Sequence, residues 1–206
     1  KKITDFNENL IVVRSTVPPG TSSKLNCYFM PEFLTEKNFE NDFKSCENWI
    51  FGLKGTEQDV KFKENIAKLI NYSYESRKIF FNNIHFVLNE EAEMIKMFRN
   101  NFLALKVSFC CEIEEYCSLK NINYENVRKL AVLDKRIGSS HSFVPGHDGK
   151  KGFGGTCFPK DSNSLKHLME NESMESYIIK NMVERNEKVD RVEKDWNSNK
   201  GRAVIE

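Results

Sequence analysis

Cys157 stands between a glycine-rich turn and a helical start, in Lys151-Gly-Phe-Gly-Gly-Thr-Cys-Phe-Pro-Lys-Asp161. Proline in a first helical turn gives up no needed donor, and an aspartate there meets the positive end of the helix dipole. A thiol at that end has its thiolate stabilised and can act as a nucleophile. The glycines would let backbone approach a ligand where a side chain would block it. A loop cysteine without a role is the alternative. Lys96 and Asn100 lie four apart, so on a helix they share a face, roughly opposite Phe98. That places an amine beside an amide, although a solvated pair has the same spacing. Glu32 and Glu36, also four apart after Pro31, could serve as acid, base or water-positioning groups, or lie on the surface. Thr16 ends an apolar run, at the rim where open α/β sheets take ligands. His141 and His147 precede Cys157 in a loop, where a base for the thiol could lie, although loop histidines are more often solvated.

Elements able to hold these groups are legible in the pattern. Leu10–Ser15 reads as a buried parallel strand, Cys27–Met30 and Asn48–Leu53 as two more, and Ile84–Leu88 as a fourth. A helix from a Thr56 cap to about Ser76 would bury Val60, Ile66, Leu69 and Ile70. This alternation predicts part of an open α/β sheet over residues 1–88. From Asn89 the pattern turns helical. Met94, Phe98, Phe102, Leu105, Phe109, Ile113 and Tyr116 recur at spacings of four and three, an apolar seam that needs a partner. A shorter helix near Asn126–Leu133, one from about Asp161 and a long one over Tyr177–Trp196 complete a helical domain over 89–196. The last residues, 197–206, read as the opening of a further domain. A chain that starts at Lys1-Lys2 with strand-like sequence close behind reads as a piece of a longer protein.

Composition narrows the classes. With 206 residues, 30% charged and a formal net charge of +1, no field argues for nucleic acid or an anionic membrane. No apolar run approaches the roughly 20 residues of a membrane span. The six cysteines form no CxxC pair and no histidine cluster accompanies them, so no metal site is expected, and a reducing, cytoplasmic setting is.

Taken in order, the motifs resemble the UDP-glucose/GDP-mannose dehydrogenase family. Ser15-Thr-Val-Pro-Pro-Gly-Thr21 is similar to its strand-end threonine motif, and Pro31-Glu-Phe-Leu-Thr-Glu36 to its Pro-Glu-Phe-Leu-x-Glu motif. Ala92-Glu-Met-Ile-Lys96 with Asn100 resembles its catalytic Lys/Asn helix. Arg136-Ile-Gly138 and Gly152–Asp161 resemble its arginine and cysteine motifs. The resemblance implies the last part of a Rossmann-like parallel sheet followed by an all-helical central dimerisation domain with long helices. It implies a four-electron oxidation of a sugar nucleotide with NAD, UDP-glucose being favoured by Phe-Pro-Lys-Asp after Cys157 and GDP-mannose being the alternative. Cys157 would be the nucleophile, and Lys96 with Asn100 would stabilise oxyanions. Asp161, Thr16 and Glu32 would move protons. Thr16, Glu36 and Lys160 would adjoin the nicotinamide nucleotide. Phe33, Leu34, Glu36, Lys96, Asn100, Arg136, Phe153 and Gly154 would line the substrate site, Arg136 across a homodimer interface. The sequence departs from the family in lacking its Gly-x-Gly-x-x-Gly loop and nearly all of its C-terminal nucleotide-base domain, and in Met30, where asparagine is usual. A non-catalytic helical dimer module is therefore a second expectation.

Overall fold

The computed structural model describes residues 10–35 and 38–197. The chain divides into two compact units, residues 1–96 and 97–206.

The first unit holds a four-stranded sheet in the order β1 (Val12–Val13), β2 (Tyr28–Phe29), β3 (Asn48–Leu53), β4 (Asn83–Leu88). β1 and β2 are parallel, with Val12 opposite Tyr28. β3 and β4 are parallel over six pairs, from Asn48–Asn83 to Leu53–Leu88. β2 meets β3 antiparallel at Phe29–Gly52, so the expected parallel sheet carries one reversed junction. All four strands fall where the apolar runs placed them. The helices are α1 (Thr21–Lys24), α2 (Phe39–Lys44, which the apolar pattern did not mark) and α3 (Gln58–Glu75). Phe62, Ile66 and Ile70 of α3, four apart, bury against Tyr28, Trp49 and Phe51. Tyr28 stacks on Phe62 with centroids 3.6 Å apart. Val60 and Leu69 face outward, because the buried row falls on 62, 66 and 70 instead. Thr56 does not cap α3. Instead the Asp59 carboxylate, in the first turn, reaches back to accept from the Gly55 and Thr56 amides at 2.8 and 3.0 Å, the reciprocal half of a capping box.

β4 runs without a loop into α4 (Asn89–Leu119). Gly52 makes this junction possible, since a Cβ there would lie 2.9 Å from the Asn89 Cα. Asn89 donates through Nδ2 to the Cys27 carbonyl at 2.9 Å. One turn on, the fully buried Glu93 carboxylate accepts from the Ser22 amide at 2.8 Å and from that of Gly20. These polar anchors fix where α4 begins, and therefore where Lys96 lies.

The second unit contains the rest of α4, α5 (Tyr124–Ala131), α6 (Phe158–Asn171) and α7 (Tyr177–Arg185). Its core gathers Ala104, Phe153, Met182 and Val183. On α4 one buried row runs through Met97, Asn101, Ala104, Ser108 and Cys111. The aromatic seam read from the sequence is a different face. Phe98, Phe102, Phe109 and Tyr116 are between 57% and 65% exposed. The long helix expected over Tyr177–Trp196 stops at Arg185. A π-helical turn, Asn186–Asp190, follows and is closed by the Arg191 amide bonding the Asn186 carbonyl at 2.8 Å. The helical reading of 186–196 is thus corrected: Asn186 and Arg191 turn to hold the loop before Cys157. Among the described residues no helix is long and apolar enough to cross a membrane. The expected last segment lies almost wholly outside the described residues.

Candidate active site

Cys157 is the residue before α6, and its carbonyl accepts the first helical bond, from the Asp161 amide at 2.9 Å. Its thiol is exposed, whereas Cys27, Cys110, Cys111 and Cys117 are buried. The thiol makes no capping hydrogen bond to the amides of the α6 first turn, beside which its place in the chain sets it. Pro159 occupies that turn, as its missing N–H allows. The Thr156 hydroxyl is 3.9 Å from the sulfur. No hydrogen bond joins His141 or His147 to the thiol among the described residues. His141 packs on Phe158, and burial, with Lys106 and His147 nearby, lowers its pKa.

Beneath the thiol, Asp161 is fully buried and takes a 2.6 Å hydrogen bond from Asn100 Nδ2 on α4. Asn101 donates to the Asp161 carbonyl at 3.4 Å. Lys160 is half exposed, its ammonium 3.7 Å from Asp161 Oδ1. Asn100 is therefore a committed partner of the residue four places beyond the cysteine, and the solvated reading of it falls. An open cavity of about 470 Å³ adjoins this corner, lined by Gly155, Thr156, Lys160 and Trp196 among others.

In the first unit, Lys96 is also buried, which removes the solvated reading for it too. Its ammonium donates to the Glu32 carbonyl and lies 5.2 Å from the Phe33 ring centroid. Glu32's own carboxylate pairs with Arg14 at 3.8 Å. Glu32 and Phe33 thus hold the Lys96 ammonium, and Leu34 beside them is half-buried. Thr16 is half-buried, just past the carboxyl end of β1. Glu36 lies outside the described residues.

Two expectations about the cysteine loop change. Gly152 and Gly154 clear space for protein side chains, not for open approach. A Cβ at 152 would lie 2.4 Å from Asn186 Oδ1, and one at 154 would lie 2.3 Å from Arg191 Cζ. Gly155 alone of the three faces open space, at a φ of +72°. Phe153 sits with its ring in the core and its backbone bonded to Asn186, so any contact it makes with a ligand needs rearrangement. Arg136 is exposed and paired only with Asp134, at 2.6 Å, among the described residues. Asn186, Arg191 and Asn101 escaped the sequence reading. An asparagine inside an apparent helix was the one available signal, since its side chain competes for backbone partners.

The model of the UDP-glucose/GDP-mannose dehydrogenase family, central domain, matches residues 90–188. A UDP-glucose 6-dehydrogenase of Rickettsia prowazekii is 31% identical over 188 residues, which cover 86% of this chain and 40% of that protein. A UDP-glucose dehydrogenase structure from Pyrobaculum islandicum superposes with a TM-score of 0.71 at 30% identity, over 87% of this chain and 41% of that one. A UDP-D-ManNAc dehydrogenase structure from Pyrococcus horikoshii gives 0.66 at 22% identity, over 87% and 42%, and speaks for the fold alone. The chain therefore spans about two fifths of the length of these relatives.

Proposed function

Because this chain belongs to the UDP-glucose/GDP-mannose dehydrogenase family, we propose that it carries the catalytic and dimerisation core of a cytoplasmic nucleotide-sugar 6-dehydrogenase. The reaction is the oxidation of UDP-glucose to UDP-glucuronate with two NAD. The observation that carries this reading is the exposed Cys157 thiol at the start of α6, above the buried Asn100–Asp161 hydrogen bond.

The residues do the following. The C6 alcohol first loses a hydride from carbon, to one NAD, and its hydroxyl proton, giving an aldehyde; the Cys157 sulfur then adds to that carbon and the carbonyl oxygen takes a proton, giving a thiohemiacetal. Loss of hydride from that carbon and of the hydroxyl proton leaves a thioester. Water attacks the thioester, the C–S bond breaks, and the thiol regains its proton. Asn100 has two amide hydrogens and gives one to Asp161, so the second serves the oxyanion. Lys96, one helical turn earlier, supplies positive charge to the same intermediates. Asp161, Thr16 and Glu32 move protons through water. When bound, NAD supplies the hydride acceptor. The resemblance to the family assigns its nicotinamide end to Thr16, Glu36 and Lys160, of which Thr16 lies just beyond β1. The 206 residues hold no Gly-x-Gly-x-x-Gly segment to cradle its pyrophosphate. Phe33, Leu34 and Arg136 face the sugar nucleotide in this proposal, Arg136 from a partner copy, while Phe153 and Gly154 are held by Asn186 and Arg191.

The experiment supplies this chain with the family's glycine-loop and nucleotide-base segments and follows NADH absorbance with UDP-glucose and GDP-mannose. Two NADH per product are expected with UDP-glucose. Turnover by Cys157→Ser equal to that of the parent would end the proposal. The exposed aromatic row on α4 favours a second reading, an idle dimer module. It predicts the same dimer with no turnover under any of these conditions.

A further inference from the structure

We propose that Asn186 is a positioning residue for the Cys157 thiol and that Arg191 is its auxiliary, the two forming one clamp built by the π-helical turn. The proposal rests on Cys157 being the reacting thiol.

Cys157 has an anchor on one side and needs another. Downstream, Asp161 is held by Asn100, and Asn163 donates to the Pro159 carbonyl at 3.0 Å. Upstream, Gly154 and Gly155 offer no side chains with which to fix the strand of loop that delivers the thiol. Asn186 fills that role. The Phe153 amide donates to its Oδ1 at 2.8 Å, and its Nδ2 donates to the Phe153 carbonyl at 2.9 Å. A single side chain thus satisfies both backbone groups of a residue four places before the thiol, as a neighbouring strand would. Asn186 is itself 1% exposed, so the pair of bonds is made away from water, where losing either partner is costly.

Arg191 holds the next residue. Its guanidinium lies flat against Gly154, close enough that a Cβ would overlap it. Asp195 grips it through two bonds of 2.8 Å, and Asp148, within the loop itself, pairs with it at 2.7 Å. The backbone explains why the two side chains act together. Residues five apart in an α-helix point about 140° from each other, at about 100° per residue. The wider turn closed by the Arg191 amide on the Asn186 carbonyl brings both to the loop side.

The test uses the 206-residue chain and iodoacetamide, with Cys157 alkylation followed by peptide mass spectrometry from about pH 6 to 9. In the parent, Cys157 reacts faster than in the urea-unfolded chain. Asn186→Ala lowers that rate about tenfold and shifts its pH midpoint, a cost in line with small misplacements of a reacting group. Asn186→Asp, which can accept from Phe153 but cannot donate, falls between. Amide hydrogen exchange rises across residues 152–157 while α5 stays protected. A folded Asn186→Ala with the parent's rate and midpoint overturns the clamp. If Asn186→Ala does not fold, Arg191→Lys decides, since it keeps the cation and loses the flat face: slowed alkylation supports the clamp and an unchanged rate overturns it. A parent Cys157 no faster than in urea removes the catalytic reading, while exchange across 152–157 still decides the clamp.

Discussion

Asn100→Ala tests the buried polar pair beneath the thiol. Asn100 Nδ2 gives a 2.6 Å hydrogen bond to a carboxylate with no exposed surface. A bond to a charged group in such a place is worth about 1.5–3 kcal/mol. The neutral equivalent, left when Asp161 becomes Asn, is worth roughly half. Asn100→Ala should therefore cost about 2–3 kcal/mol, and about 1 kcal/mol in an Asp161→Asn background, a coupling of about 1–2 kcal/mol. For a chain of this size the single substitution lowers Tm by about 4–12 °C. Urea unfolding of the four proteins, followed by far-UV circular dichroism, reads the cycle. Additivity within about 0.5 kcal/mol would mean that Asn100 does not sense the Asp161 charge, and would refute the charged hydrogen bond at this corner.

Three further outcomes follow from other places in the fold. Gly52→Ala forces a Cβ to 2.9 Å from the Asn89 Cα at the start of α4, and should cost about 1–3 kcal/mol of stability, read as a lower urea midpoint. Arg128 grips Glu125 with bonds of 2.6 and 2.7 Å and holds that carboxyl down to about 2, below its ordinary 4.5. Because the folded value is the lower one, the stability this pair adds is present above about pH 4.5 and lost as pH falls toward about 2. Glu125→Gln should flatten that part of a Tm-against-pH curve. Sedimentation should find a dimer, and a Phe98→Glu/Phe102→Glu double variant should be a folded monomer. A parent monomer at micromolar concentration would contradict the partnered-seam reading.

The strands and the α4 helix were legible because their apolar periods are strong and local. Asn48–Leu53 was readable to the residue, as an apolar run bounded by polar sequence. The seam of Phe98, Phe102 and Phe109 was legible as apolar but not as exposed. A second heptad-like row, from Met97 to Cys111, runs beside it, and the order of residues does not say which row the rest of the chain covers. The reversed β2–β3 junction depends on long-range pairing and leaves no mark on the strands themselves. Helix length after Tyr177 was overread, since Val189 and Val192 continue the period while Asn186 leaves it for a tertiary partner. The chemistry-bearing residues were readable as types and spacings. Burial of Lys96 and Asn100 was not, because nothing local separates a buried lysine from a solvated one. Gly152 and Gly154 looked like ligand glycines, yet the space they leave is taken by Asn186 and Arg191.

The most direct test of Cys157 as the covalent centre is to quench the assembled enzyme in acid during turnover of UDP-glucose with NAD and to map the peptides by mass. The account predicts a sugar-nucleotide acyl adduct on the Cys157 peptide and none with Cys157→Ala. An adduct on any other residue, or undiminished turnover by Cys157→Ala, would contradict it.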